Sequence, residues 1–155
     1  MLVSILSWKW LTAFLPILRN DPFGEWVVDR ENDGSPEHPI RMPFVRYTAG
    51  VDRFIKTLYR FCDAHPEFDH TSYAETLEEH GLSWSAHSMR SADVSRADAK
   101  LVIALLMGAV RADRFSEGTL LEFCSNGCIV RWLERLREID TEEDPPPPSI
   151  GEPSP

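Results

Sequence analysis

The sequence predicts an α+β domain, mainly helical, built around one buried central helix with a minor two-stranded β element. Two observations carry that prediction. Leu101, Val102, Ile103, Leu105, Leu106 and Met107 cover most of a helix's circumference, so this segment must be surrounded by other elements. On either side of it in sequence, Val51, Phe54, Ile55, Leu58 and Cys62, and then Ile129, Trp132, Leu133, Leu136 and Ile139, recur at the spacing of one helical face. Those two amphipathic helices are expected to flank a hub running from Ala97 to Phe115.

In chain order, Leu11, Phe14, Leu15 and Leu18 mark a helical face, and Pro16, which lacks an amide proton, makes that helix kinked or short. The stretch does not read as a secretory signal: no basic region precedes the apolar part, Lys9 interrupts it, and no small-x-small cleavage pattern follows. Asn20, Asp21, Pro22 and Gly24 mark a loop. Trp26, Val27 and Val28, then Phe44 to Thr48, have β-forming character, which predicts a pair of strands across the polar loop Arg30 to Pro39. Pro66 ends the Val51 helix; Thr71 is the expected cap of a short helix through Leu77, stopped at Gly81 by a left-handed residue. Asp93 or Ser95 is the expected cap of the central helix. Ser116 is the expected cap of a helix from Glu117 to Cys124, and Asn126-Gly127 turns the chain into the last helix, Cys128 to Ile139.

A chain of 155 residues is most simply one domain, assigned here to residues 1–140. From Thr141 the composition shifts to Glu, Asp, Ser and four consecutive prolines, which reads as a disordered or polyproline-II tail, residues 141–155. The net charge of −9 comes partly from this end, where Asp140, Glu142, Glu143, Asp144 and Glu152 stand without a base among them. No basic stripe is present, which disfavours a grip on nucleic-acid phosphates. The longest apolar run, Leu101 to Val110, is too short to cross a bilayer. Three cysteines, Cys62, Cys124 and Cys128, fit reduced thiols in a cytoplasmic setting.

The string GAVRADRFSEGTLLEF, preceded by SADVSRADA and followed by GCIVRWLERLREID, resembles domain-of-unknown-function family 6508. The similarity extends upstream through FGEWVVDRENDGSPEHPIRMPFVRYT and VDRFIKTLYRF. It implies a small bacterial intracellular protein and no defined activity. Cys124 departs from the pattern, since a second aromatic is expected beside Phe123.

No phosphate loop, dinucleotide glycine fingerprint, HExxH or GxSxG pattern occurs. The sharpest local constellation is Arg111, Asp113, Arg114 and Glu117 at the exit of the central helix. Two guanidiniums beside a helix start suit a phosphate or carboxylate; the plainer alternative is that they cap carbonyls and pair with the acids. Cys62-x-x-His65 with Cys124-x-x-x-Cys128 offers four zinc-type ligands at loose spacing, but the thiols fit apolar faces, so no metal and no cofactor is expected. The loop Asp29 to Glu37 is acid-rich but lacks a calcium-loop register. His80 is expected near a helix carboxyl end. Trp8 and Trp10 alternate with polar neighbours, and one of them is expected to be exposed for partner contact or dimerisation. The leading reading is a bacterial cytosolic binding or regulatory module that contacts a protein partner through the amino-terminal helix or the polar loop. The alternative is an enzyme or receptor holding a small anion with Arg111 and Arg114.

Overall fold

The computed structural model describes residues 7–68 and 71–143. The elements in order are α1 (Lys9–Thr12), α2 (Leu15–Asn20), β1 (Gly24–Val27), β2 (Phe44–Tyr47), α3 (Ala49–Ala64), a 3₁₀ turn (Pro66–Phe68), α4 (Tyr73–Glu79), α5 (Ala86–Arg90), α6 (Ala99–Ala112), α7 (Thr119–Ser125) and α8 (Cys128–Glu143). The fold is mainly helical with one two-stranded antiparallel sheet, in which Gly24 faces Tyr47 and Val27 faces Phe44.

Helix α6 is the hub. Every residue from Leu101 to Val110 is buried, because a helix apolar on all faces gains only where all faces are covered. Its principal neighbours are α4, α7 and α8. The Val51 helix, expected to flank it, packs mainly on α1, α2 and the 3₁₀ turn; α4 takes that side of the hub. Thr76 of α4, buried in that packing, has its hydroxyl satisfied by donating to the Ser72 carbonyl at 3.1 Å. On another side, Gly108 admits Met89 and Trp84, whose side chains lie 3.0 and 3.4 Å from where a Cβ would stand. Trp84 Nε1 donates to the Gly108 carbonyl at 2.9 Å.

The start of the chain breaks as Pro16 requires, with the proline in the first turn of α2 where no amide proton is missed. Arg19 of α2 pairs with Glu134 of α8. Several caps differ from expectation. Asp98 caps α6, its carboxylate accepting from the Leu101 amide at 2.9 Å, while Asp93 instead closes a local turn with the Ser95 amide. Ser72, not Thr71, precedes α4, although Gly81 has the expected left-handed backbone with φ of +75°. Gly118 rather than Ser116 precedes α7. Helix α5, where Ser85 accepts from the Ser88 amide, is too short to leave a periodic signal in the sequence.

Helix α8 runs past Ile139 to Glu143, so Thr141 to Glu143 belong to the helix and not to the tail. Arg135 explains the extension. Its guanidinium donates to the Ala97 carbonyl just before α6 at 2.9 Å and reaches Glu138 and Glu142 at 3.1 and 3.2 Å. The expected tail from residue 144 onward lies outside the described residues.

Replacing Asp98 with Ala removes the side-chain cap of α6 and is expected to cost about 1 kcal/mol, whereas Ser95→Ala should change stability by less than about 0.5 kcal/mol. Urea unfolding of both variants checks this. Equal losses at the two positions would show the cap to be misassigned.

Candidate functional site

The four exit residues sit in one turn, but they do not form one anion-binding group. Asp113 follows α6, and its Oδ1 accepts from the Tyr47 hydroxyl at 2.9 Å, the Gly118 amide at 3.0 Å and the Leu120 amide at 3.1 Å. The Tyr47 oxygen in turn accepts from the Leu121 amide at 3.0 Å. Glu117 accepts from the Val45 amide at 2.7 Å. Both carboxylates therefore bind the β hairpin to the α6–α7 turn, and Asp113 also serves the amides at the start of α7, the role expected of Ser116. Burial, and then Asp113 beside it, push the Tyr47 phenol well above its ordinary range.

Gly118 makes this junction possible. Its φ of +90° is left-handed, and an added Cβ would stand 2.3 Å from the Trp26 ring. Trp26 thus lies directly on the turn, while still 48 % exposed.

The guanidiniums have different surroundings. Arg111 lies beside the Tyr59 and Tyr73 hydroxyls, which hold its proton more firmly than usual, and its Nε is buried without a hydrogen-bond partner among the described residues. Arg114 is exposed. A cavity of about 320 Å³ beside the exit is lined by Trp84, Met89, Ala112, Phe115 and small hydroxyl or methyl side chains, with no charged group. Phe115, 75 % exposed, meets Trp84 edge to face at 5.6 Å.

Of the two tryptophans singled out for partner contact, Trp8 is fully buried against Phe61 and Phe68 and is out of reach of a partner. Trp10 is 45 % exposed and leans edge-on against Phe61 and His65. Hydrophobic depth explains the split: Trp8 stands inside the α1–α3 contact and Trp10 at its margin.

The polar loop proves to be organised on one side chain. Asp29 accepts from the amides of Glu31, Asn32 and Arg41 and from the Asn32 side chain, all within 2.8 to 3.1 Å. These donors, Arg41 first, hold its carboxyl well below the usual range. Outside this knot lies a cleft of about 500 Å³, floored by Val27, Met42 and Phe44 and rimmed by Arg30, Arg41 and Arg46. Five of the eight large apolar residues exposed among the described residues belong to the hairpin and its loop: Trp26, Val28, Ile40, Met42 and Phe44. The scattered order of these five in a polar stretch leaves no periodic signal, so reasoning from residue order alone misses them.

The cysteines are all buried and none forms a disulfide. Burial pushes the Cys124 thiol up to about 12 and raises that of Cys128, which leaves them protonated and poor nucleophiles at neutral pH. No group of three or more His, Cys, Asp or Glu placed to hold a metal occurs among the described residues. His80 caps the carboxyl end of α4, as expected, with its Nδ1 2.8 Å from the Thr76 carbonyl that accepts from it. No described helix is long and apolar enough to cross a membrane.

Tyr47→Phe should cost about 1–3 kcal/mol, since it removes a hydrogen bond to a carboxylate and leaves the Leu121 amide without its acceptor. Because the folded-state phenol ionises above the unfolded value of about 10, Tyr47's contribution is complete below that pH and lost as pH rises beyond it. Urea titrations of wild type and Tyr47→Phe should therefore converge on moving from pH 8 towards pH 11; a constant gap would contradict the assignment. Gly118→Ala should destabilise by more than about 1 kcal/mol and alter the tryptophan emission as Trp26 is displaced.

No curated protein and no solved structure matches the chain. A family model does, the Family of unknown function (DUF6508), over residues 5–142, nearly the full length. The chain belongs to that family.

Proposed function

We propose that this protein is a binding or regulatory module that makes protein contacts through the hairpin β1–β2 and the loop between its strands. The observation that carries the reading is the concentration of exposed apolar side chains there, with Met42 82 % and Ile40 56 % exposed. Soluble proteins leave such clusters exposed mainly where something covers them, and aromatic, Met and Arg residues are the types enriched in the centres of protein interfaces. The scaffold suits recognition, because Asp29 holds the loop from within while Asp113 and Glu117 hold the hairpin to the core. A rigid display surface loses less entropy on binding than a mobile one.

Three buried cysteines outside any disulfide support a cytoplasmic setting, and the family resemblance is the support for a bacterial source. The anionic-ligand reading draws no support from the exit: Asp113 and Glu117 are occupied by the hairpin, Arg111 stands beside two tyrosines, and the neighbouring cavity is lined by no charged group.

A photoreactive diazirine amino acid at position 42, expressed in the source organism, should give a covalent adduct with a discrete polypeptide, while the same group at position 137, on the exposed face of α8, should not. The purified partner should lose affinity for an Ile40→Glu, Met42→Glu variant by about tenfold or more. Adducts of equal yield at both positions, or unchanged affinity, would rule out this face.

A further inference from the structure

The hairpin's hydrogen-bond register shows which of its backbone groups remain available. The Thr48 amide donates to the Phe23 carbonyl at 2.9 Å, and Thr48 stands opposite Phe23 in the register that pairs Gly24 with Tyr47. In an antiparallel ladder bonded pairs alternate with open ones. Glu25 and Val27 therefore bond inward to β2, whereas Gly24 and Trp26 point their amides and carbonyls away from it. On the opposite edge the outward amide of Val45 is taken by Glu117. The outward groups of Gly24 and Trp26 form no hydrogen bond with another described element.

An open edge invites another strand. Natural edges are commonly blunted by shortness, proline, lysine or a bulge; β1, Gly24–Val27, is short but has no proline, lysine or bulge. Its one charged side chain, Glu25, reaches back across the ladder to within 3.7 Å of Arg46. The side chains beside the edge also favour a particular occupant. Trp26 within β1 and Val28 just past its end are 48 % and 50 % exposed. At the end of β1 the cleft carries Arg30 and Arg41, both exposed and neither in an ion pair with a described residue. Asp29 and Glu31 line the same cleft, and Asp29 keeps its charge while its oxygens accept from the loop amides; with Arg46 paired to Glu25, Arg30 and Arg41 are the guanidiniums left to meet a ligand there.

From this arrangement we infer that the partner is engaged through an extended segment that pairs along β1 as a third strand. Its apolar side chains lie against Trp26 and Val28, and its carboxylates reach Arg30 and Arg41. The backbone pairing supplies affinity that does not depend on side chains, and the alternating apolar and acidic positions supply selectivity. The inference rests on the hairpin face being the binding surface and adds the conformation and charge of what it binds.

The test uses the full chain and a display library of random linear twelve-residue peptides. Enriched peptides should be acidic, with apolar residues at alternate positions. Added to the ¹⁵N-labelled protein, they should slow hydrogen exchange of the Gly24 and Trp26 amides by about tenfold or more. An Arg30→Glu, Arg41→Glu variant should bind them about tenfold more weakly; both positions are exposed, and an unchanged amide spectrum elsewhere confirms that the variant is folded. Failure to enrich, enrichment of basic peptides, protection at Trp84 and Phe115 instead, or concentration-dependent self-pairing through β1 would each overturn the inference. If the position-42 adduct still forms after such a failure, the hairpin face stands and only the strand-pairing mode falls. If neither experiment succeeds, both readings fall together.

Discussion

A helix without a polar face is the constraint on which the rest of this structure depends. Leu101 to Val110 are buried around the full circumference, so α6 cannot reach water on any side and the remaining elements must form a sleeve. The sleeve differs in thickness. Where α6 presents Gly108, Met89 and Trp84 come close to its backbone; beside it, Phe123 of α7 and Trp132 of α8 meet at a tilt with ring centroids 5.5 Å apart. Loss of a large buried side chain from such a hub typically costs about 2–5 kcal/mol, a sizeable part of the stability of a domain this size.

The two ends of that helix are handled by the same chemistry for different purposes. At the start, Asp98 serves one amide of its own helix. At the exit, Asp113 serves amides of the next helix and a tyrosine from the hairpin. A hydrogen bond to a charged group is worth about 1.5–3 kcal/mol, which outweighs the near-zero value of a typical exposed ion pair. That ordering explains why Asp113 and Glu117 face amides and not the arginines beside them in sequence. Charged residues that look like a ligand site thus act as joinery, and the hairpin owes its position to them. An isolated two-stranded ribbon is marginal in water; this one is held at Tyr47, at Val45 and under Trp26.

Holding the hairpin by its inner face leaves its outer edge and its loop free. The apolar side chains displayed there sit on a platform fixed from below by Asp113 and Glu117 and from within by Asp29, with Gly118 giving Trp26 the room to lie flat on the turn. The surface gains rigidity from groups that take no part in it. That separation of support from display is common where loops carry recognition on a packed scaffold.

Periodic patterns within single segments are sufficient to identify α3, α6, α8 and the strand pair, because burial on one face, or on all faces, imprints directly on residue order. Pro16, Gly81 and Asn126-Gly127 likewise mark breaks through their own backbone preferences. The caps at Asp98 and Gly118, and the short α5, are less legible, since several nearby residues have equal local merit and tertiary packing selects among them. Trp8 and Trp10 are alike in sequence, and only the position of Phe61 and Phe68 buries one and exposes the other. Arg111, Asp113, Arg114 and Glu117 are legible as a cluster. Their partners, Tyr59, Tyr73, Tyr47 and the Val45 amide, lie far away along the chain. Residue order alone therefore determined the long helices and which one is the hub; only the tertiary structure decided what the charged residues hold, because that depends on donors brought together across long separations.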